Sequence, residues 1–186
     1  ISIREALLNI GLDEDEEFIT LHPATSKVER SWHAERFGIL CQKIYKEDGK
    51  KIVLLGTPSE EKLLNRIKNY CPSDKIKIIP AVNLRVLAGV LKKSRLFIGN
   101  DSGMMHLASM VGTPIVAIFG PGNVGTTGPY MEPKNYEILT ENYSCSPCRQ
   151  RFFKECKPSP HNKPYCLEDI TVKNVYEAIH RLLKRV

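Results

Sequence analysis

LFIGNDSGMMHLA, residues 96–108, runs from an apolar segment through a glycine-flanked turn into a helical one. Its opening residues are apolar without interruption, as in a strand buried on both faces. Gly99-Asn100-Asp101-Ser102-Gly103 ends the run, and a helical segment follows with Ser102 placed to cap it. A strand that passes directly into a helix leaves the unpaired N–H groups of the first turn just beyond the sheet edge, where they attract an anion. Glycine on either side of the turn lets a ligand approach the backbone closely. A diphosphate fits that description. A carboxylate repels phosphate, so Asp101 is assigned to sugar hydroxyls or to a base role. His106, four residues after Ser102, shares the ligand-facing side of the first turn and is placed to donate to a phosphate oxygen. A plainer reading stays open, in which Asp101 and Ser102 only cap a helix and His106 is a satisfied core imidazole.

Outward from this stretch the pattern repeats. Strands are expected at residues 18–21, 51–55, 75–79, 95–98, 115–119 and 136–139, with helices at 35–45, 59–69, 83–93 and 102–110 between them. Strands linked by helical crossovers imply an α/β fold built on a Rossmann-like, doubly wound parallel sheet. Residues 120–133 are rich in Gly, Pro and Thr, read as too irregular for an element, and follow the carboxyl end of a strand, where open α/β sheets bind ligands. A Cys-rich loop, 143–168, and a closing helix, 172–184, complete the chain. Residues 1–17, a short amphipathic helix and an acidic stretch, read as an interdomain linker or residual helix left from a longer protein, with the nucleotide-binding domain at 18–186.

Composition agrees with one globular domain: 186 residues, 42% hydrophobic and 26% charged. A chain of this size buries roughly 70% of the surface that it exposes when unfolded, so it needs neither disulfide nor metal merely to fold. No apolar run approaches the ~20 residues of a bilayer-crossing helix, and the first residues lack a signal peptide's pattern, so a soluble cytoplasmic domain is expected. The net charge of +6, from 27 Lys and Arg against 21 Asp and Glu, favours anionic partners. The basic residues are spread along the chain, which is also what solvated surface charge looks like.

D-S-G-x-x-H-x-A after a strand, then V-G-T-P and F-G-P, resembles the signature of glycosyltransferase family 9, the heptosyltransferase type. LHPATSKVERSWHAERF and KIVLLGTPSEE extend the likeness, which runs from about residue 18 to 183. The resemblance implies the C-terminal, donor-binding half of a two-domain GT-B enzyme. It implies an inverting transferase that takes a nucleotide-diphosphate sugar, commonly ADP-heptose, needs no cofactor for catalysis, and acts on a lipopolysaccharide core or similar lipid-linked acceptor. The other domain would supply the acceptor site and the catalytic base, so this half would bind donor but hardly turn over. Peripheral contact with an anionic inner membrane is compatible with the positive charge.

Carried over by residue, the resemblance puts Thr25 and Ser26 near the donor phosphates. Arg30 stands where the family often has a Lys that neutralises the leaving diphosphate, and Lys27 is a second candidate. Arg in place of Lys keeps the charge and changes its geometry. The implied catalytic set is Arg30, Lys27 and Asp101, and the donor-binding set Thr25, Ser26, Glu60, Asp101, Ser102, Gly103 and His106. Glu60 or Glu61 would accept from ribose hydroxyls, although Pro58 disturbs the alignment there; helix-dipole carboxylates are the alternative. Trp32 reads as packing beneath the loop rather than as a stacking partner for the base, and Thr126 and Thr127 as polar contacts of the loop after Gly120.

Cys145, Cys148, Cys156 and Cys166 are spaced C-x2-C-x7-C-x9-C, while Cys41 and Cys71 stand apart on expected helices. Structural zinc, with His161 as a substitute ligand, disulfides formed in vitro, and free thiols all remain open for the cluster. A zinc-containing nucleic-acid-binding module is the rival function, with Arg149, Arg151, Phe152, Phe153 and Lys154 as its interleaved basic and aromatic residues. It leaves the DSGMMH turn unexplained. A GT-B nucleotide-sugar epimerase would need a carboxylate pair that the sequence does not offer at a convincing spacing.

Overall fold

The structure is a computed structural model that describes residues 1–13, 15–72, 74–79 and 82–186. Glu14, in the acidic stretch, lies outside the described residues. In chain order the elements are α1 (Ile3–Leu8), β1 (Phe18–His22), α2 (Ala34–Asp48), β2 (Lys51–Leu54), α3 (Glu61–Lys68), β3 (Ile76–Ile78), α4 (Leu84–Lys93), β4 (Leu96–Asn100), α5 (Gly103–Met110), β5 (Ile115–Phe119), α6 (Val124–Thr127), β6 (Tyr136–Thr140), α7 (Tyr165–Glu168) and α8 (Val172–Leu183). The strands form one six-stranded sheet in the order β3-β2-β1-β4-β5-β6, every neighbouring pair parallel. This is the doubly wound, Rossmann-like order.

Alternation along each strand divides the core into two layers. Ile19 and Leu21 of β1 and Leu96 and Ile98 of β4 point to the face covered by α2, α3 and α8. Phe18 and Phe97 point to the opposite face, covered by α1, α4 and α5. Because both faces are covered, β1, β4 and β5 are buried along their whole length, which is why they read as continuous apolar runs. One buried side chain pins the central pair: the Thr20 backbone N–H donates to Ser94 Oγ at 3.0 Å, and that hydroxyl donates to the Leu96 carbonyl at 2.7 Å. Gly49 ends α2 in the left-handed conformation, at φ 66°.

The N-terminal segment is built into this core. Ser2 and Glu5 cap α1 reciprocally, and α1 lies on α4 where Gly89 leaves room for the Ile3 side chain. Ala6, Leu7 and Leu12 are fully buried; each of the two leucines contributes roughly 2 kcal/mol by leaving water. Residues 120–133, expected to lack any element, contain α6, whose first turn Asn123 caps through its side chain onto the Gly125 N–H at 3.0 Å. Cys71 lies beyond the end of α3 rather than on it, and the Cys-rich loop carries the single turn α7. Among the described residues no helix is long and apolar enough to cross a membrane.

Candidate functional site

β1 and β4 lie side by side, yet the helices that follow them leave on opposite faces, α2 into one core layer and α5 into the other. A crevice therefore opens beyond their carboxyl ends, at His22 and Asn100. The 22–32 loop and the 100–106 turn, singled out from the sequence, meet there.

Asn100, missed in the sequence, ties them together. Fully buried, it donates to the Pro23 carbonyl at 2.7 Å and accepts from the Trp32 N–H at 2.9 Å, closing both ends of the loop after β1. Trp32 is 1% exposed, packs edge-on to Phe37 at 4.9 Å and donates from Nε1 to the Ile170 carbonyl at 2.9 Å. It is a packing residue and has no face to offer a base.

The loop delivers Arg30 to the turn after β4. Its guanidinium donates to the Asp101 carboxylate and, at 3.3 Å, to the Asp101 carbonyl, while Nε is buried with no partner among the described residues. Asp101, 6% exposed, is thus paired with a cation rather than left as a buried free carboxylate. Lys27 points elsewhere, with Nζ 5.8 Å from the centre of the Phe152 ring across an open cleft of about 650 Å³ that Glu29, Arg151 and Lys154 also line. Thr25 Oγ1 donates to the Lys27 carbonyl at 2.5 Å, shaping the turn, and Ser26 is exposed.

Ser102 occupies the N-cap position of α5, but its side chain makes no cap bond, a correction to the expected role. The hydroxyl turns back to His22 Nδ1 at 3.4 Å, so the first N–H groups of α5 stay free. Nothing lies within 4 Å of where a Cβ on Gly103 would be, leaving open space before this turn. His106 is half-buried one turn on, its imidazole without a hydrogen-bond partner among the described residues.

On the other flank, Glu60 folds inward, accepting from the Thr57 N–H at 2.7 Å and reaching to 3.9 Å from His22 Nε2. Burial pulls the His22 imidazole below its ordinary pKa, against the field of Glu60. A hollow of about 360 Å³ opens beside it at the ends of β2 and β3, lined by Gly56, Thr57, Pro58, Leu64 and Ile79; Glu61 is at its rim, exposed. Thr126 and Thr127 are not free contacts, because both hydroxyls donate to the Asn123 carbonyl inside α6.

The four clustered cysteines line one cavity of about 230 Å³ with Gly120 and Phe152. Burial, reinforced by Cys148, Cys145 and Cys156, pushes the Cys166 thiol up to about 12. The expected ligand set is not assembled: among the described residues, no three His, Cys, Asp or Glu side chains are grouped as metal ligands. His161 is engaged elsewhere. His161 at 3.1 Å, His33 at 3.2 Å and Arg36 at 2.6 Å surround the Glu168 carboxylate, and Ser159 donates to it at 2.8 Å. Burial works to raise this carboxyl's pKa, but the Ser159 bond and the charges of His33 and Arg36 hold it below the ordinary glutamate value. Glu168 thus anchors the end of the Cys-rich loop to the start of α2, one residue past Trp32.

The family model described as glycosyltransferase family 9 (heptosyltransferase) matches residues 4–157. Lipooligosaccharide heptosyltransferase 2 of Campylobacter jejuni serotype O:2 is 33% identical over 129 residues, 68% of this chain and 38% of the relative. Escherichia coli ADP-heptose lipopolysaccharide heptosyltransferase II shares the fold, with a TM-score of 0.80 at 18% identity, over 98% of this chain and 51% of that one. A glycosyl transferase family 9 structure from Veillonella parvula also gives 0.80, at 25% identity, over 99% of this chain and 51% of that one. The chain thus spans about half the length of these proteins, or less.

Proposed function

The chain belongs to glycosyltransferase family 9, the heptosyltransferase family, and from that premise we propose that it is the donor-binding domain of a glycosyltransferase that uses a nucleotide-diphosphate sugar, ADP-heptose, to extend a lipopolysaccharide core. The observation that carries this reading is the pairing of Arg30 with Asp101 in front of the unblocked N-terminus of α5. Cation and free backbone donors then face the same open space at the sheet's switch point.

In this reading the diphosphate lies against the first turn of α5 at Ser102 and Gly103, with His106, Thr25 and Ser26 around it. The nucleoside extends toward Glu60 and the hollow at Gly56 and Ile79. Transfer breaks the bond between the anomeric carbon and the diphosphate oxygen while an acceptor hydroxyl attacks from the opposite side, inverting the centre. Negative charge grows on the departing diphosphate, so a cation held beside it binds the transition state more tightly than the ground state. Arg30, freed in part from Asp101, fills that role, and Lys27 adds field from the loop's exposed side. The acceptor's base and most of its contacts belong to a second domain of the full enzyme, so this chain alone binds donor without useful turnover. The enzyme works in the cytoplasm, peripheral to the inner membrane, where its acceptor is held.

Structural zinc at Cys145, Cys148, Cys156 and Cys166 would require these four thiols, which line one cavity but are not grouped as ligands, to draw together on the metal. Zinc there would brace the loop and take no part in transfer. Elemental analysis of the purified chain, against a variant with Cys148 and Cys166 changed to Ser, tests it. One equivalent of metal, lost in the variant, supports the site; metal-free thiols refute it.

An NMR titration with ADP, UDP and GDP in parallel tests the main reading. Shifts at residues 25–30 and 99–106, strongest with ADP, are the expected result. If no nucleotide perturbs them at millimolar concentration, and a short nucleic acid instead shifts residues 145–166, the donor site is refuted in favour of the nucleic-acid-binding module.

A further inference from the structure

His22 is the last residue of β1, 7% exposed, and its two ring nitrogens face two different parts of the site. Nδ1 is 3.4 Å from Ser102 Oγ, at the start of α5, and Nε2 is 3.9 Å from the Glu60 carboxylate, on the turn after β2. Ser102 and Glu60 reach it from opposite flanks, and Glu60 is the charged group whose field acts on it. Of the other charged groups on the turn after β4, Asp101 is held by Arg30, and His106 is one turn farther along α5.

The chemistry of the ring links these contacts. In the neutral ring, the carboxylate near Nε2 favours the tautomer with hydrogen on Nε2, so Nδ1 accepts the Ser102 hydroxyl hydrogen and Ser102 faces the crevice with lone pairs only. Lone pairs oppose a phosphate oxygen. With a second proton on the ring, Nδ1–H donates to Ser102 Oγ, and the hydroxyl hydrogen is released to point outward. We propose that His22 is a positioning residue whose proton decides whether Ser102 presents its hydroxyl to the donor's diphosphate as a hydrogen-bond donor. This rests on the donor-site reading above. The proton comes from solvent as the anion arrives, no covalent bond is made or broken, and Glu60 on the far side of the ring stabilises the imidazolium.

The sign follows from the bound charge. A diphosphate beside Ser102 raises the affinity of His22 for its second proton, so binding takes up a proton. The gain in affinity is complete below the imidazole pKa of the free protein and is lost as pH rises through that of the complex. Between those limits donor affinity falls by about tenfold per pH unit at most. ADP-heptose is the suitable probe, because its diphosphate, esterified at both ends, does not titrate in this range.

The experiment measures ADP-heptose affinity of the 186-residue chain from pH 5.5 to 8.5 by calorimetry in two buffers of different ionisation enthalpy, which counts protons taken up. The variants are His22→Asn, whose amide oxygen can take the place of Nδ1 but cannot be protonated, Ser102→Ala, and His106→Gln. The expected result is proton uptake in the native chain that disappears in His22→Asn, falls in Ser102→Ala, where the diphosphate's charge still acts on the imidazole but the hydroxyl no longer links them, and persists in His106→Gln. Uptake that survives in His22→Asn, or disappears only in His106→Gln, overturns the proposal, as does pH-independent binding by the native chain. Should His22→Asn fail to fold, Ser102→Ala decides alone, because it leaves the imidazole in place and removes only the hydroxyl: uptake equal to that of the native chain overturns the proposal. A native chain that binds no ADP-heptose at any pH refutes the donor-site reading itself, a distinct result.

Discussion

Arg30 reaches Asp101 across the crevice between β1 and β4, its guanidinium donating to both the carboxylate and the carbonyl of that residue, so the cation proposed to face the donor is already held by an anion. The Asp101 side chain is 7% exposed and that of Arg30 19%, so removing one partner leaves the other poorly solvated. We expect Arg30→Ala to cost about 2–3 kcal/mol of stability, because it strands a buried carboxylate. Adding Asp101→Asn to Arg30→Ala should recover much of that stability in urea denaturation, yet recover none of the donor affinity lost with Arg30. Equal recovery of both would show that Arg30 serves the fold alone.

Trp32 is the chain's single tryptophan, and burial makes it a reporter of folding rather than of ligand. Trp32→Phe keeps most of the packing against Phe37 and removes the bond to the Ile170 carbonyl, which still accepts from Arg36 at 2.8 Å. The expected cost is about 1 kcal/mol, with ADP affinity within about twofold of the native chain. Quenching of the native fluorescence by bare nucleotide, without unfolding, would contradict this placement.

Gly122 lies over Asp101: a Cβ there would be 2.5 Å from Asp101 Oδ2 and 3.0 Å from the Phe119 ring. Gly122→Ala therefore pushes the carboxylate off its pairing with Arg30 without changing any charge. Donor affinity should fall roughly tenfold for a stability loss of only about 1 kcal/mol, measured by calorimetry and thermal melting. A loss confined to stability would mean that the alignment of Arg30 and Asp101 is unimportant for binding.

The sheet was legible because its strands are buried on both faces. IVAIF and LFIG cannot be amphipathic helices, and each is followed by Gly or Asn at the sheet edge. The crevice was legible for the same reason, as Gly99 to Gly103 is where a strand must stop. What escaped rests on contacts between distant residues. Ser102 has the right residue type and position for a helix cap, but His22, 80 residues away, takes its hydroxyl. Asn100 reads as one more turn residue until Pro23 and Trp32 are seen against it. Glu168 lies in a loop with no periodicity, and nothing local announces that His33, Arg36 and His161 gather on it. α6 was hidden because one turn of Val-Gly-Thr-Thr has no apolar face, and its cap, Asn123, is the sole signal.

Asn100 supports the sharpest test of how the site is built. Its side chain donates to one buried backbone group and accepts from another, so Asn100→Ala orphans the Trp32 N–H and leaves the Pro23 carbonyl with the Ser31 hydroxyl alone, a loss of about 1–3 kcal/mol. Asn100→Asp keeps an acceptor for the Trp32 N–H but sets an ionised oxygen against the Pro23 carbonyl in a fully buried position. Burial and that carbonyl favour the neutral acid, so this carboxyl's folded pKa lies above its unfolded value. Stability from the protonated form is then complete below the unfolded pKa and lost as pH rises through the folded one. In urea denaturation, Asn100→Asp should be less stable than Asn100→Ala at pH 8 and gain on it by more than about 1 kcal/mol at pH 5, where the acid's own hydrogen can bond the Pro23 carbonyl. A gap between the two variants that does not change with pH would mean that position 100 is hydrated, and that the loop carrying Arg30 is held by something other than Asn100.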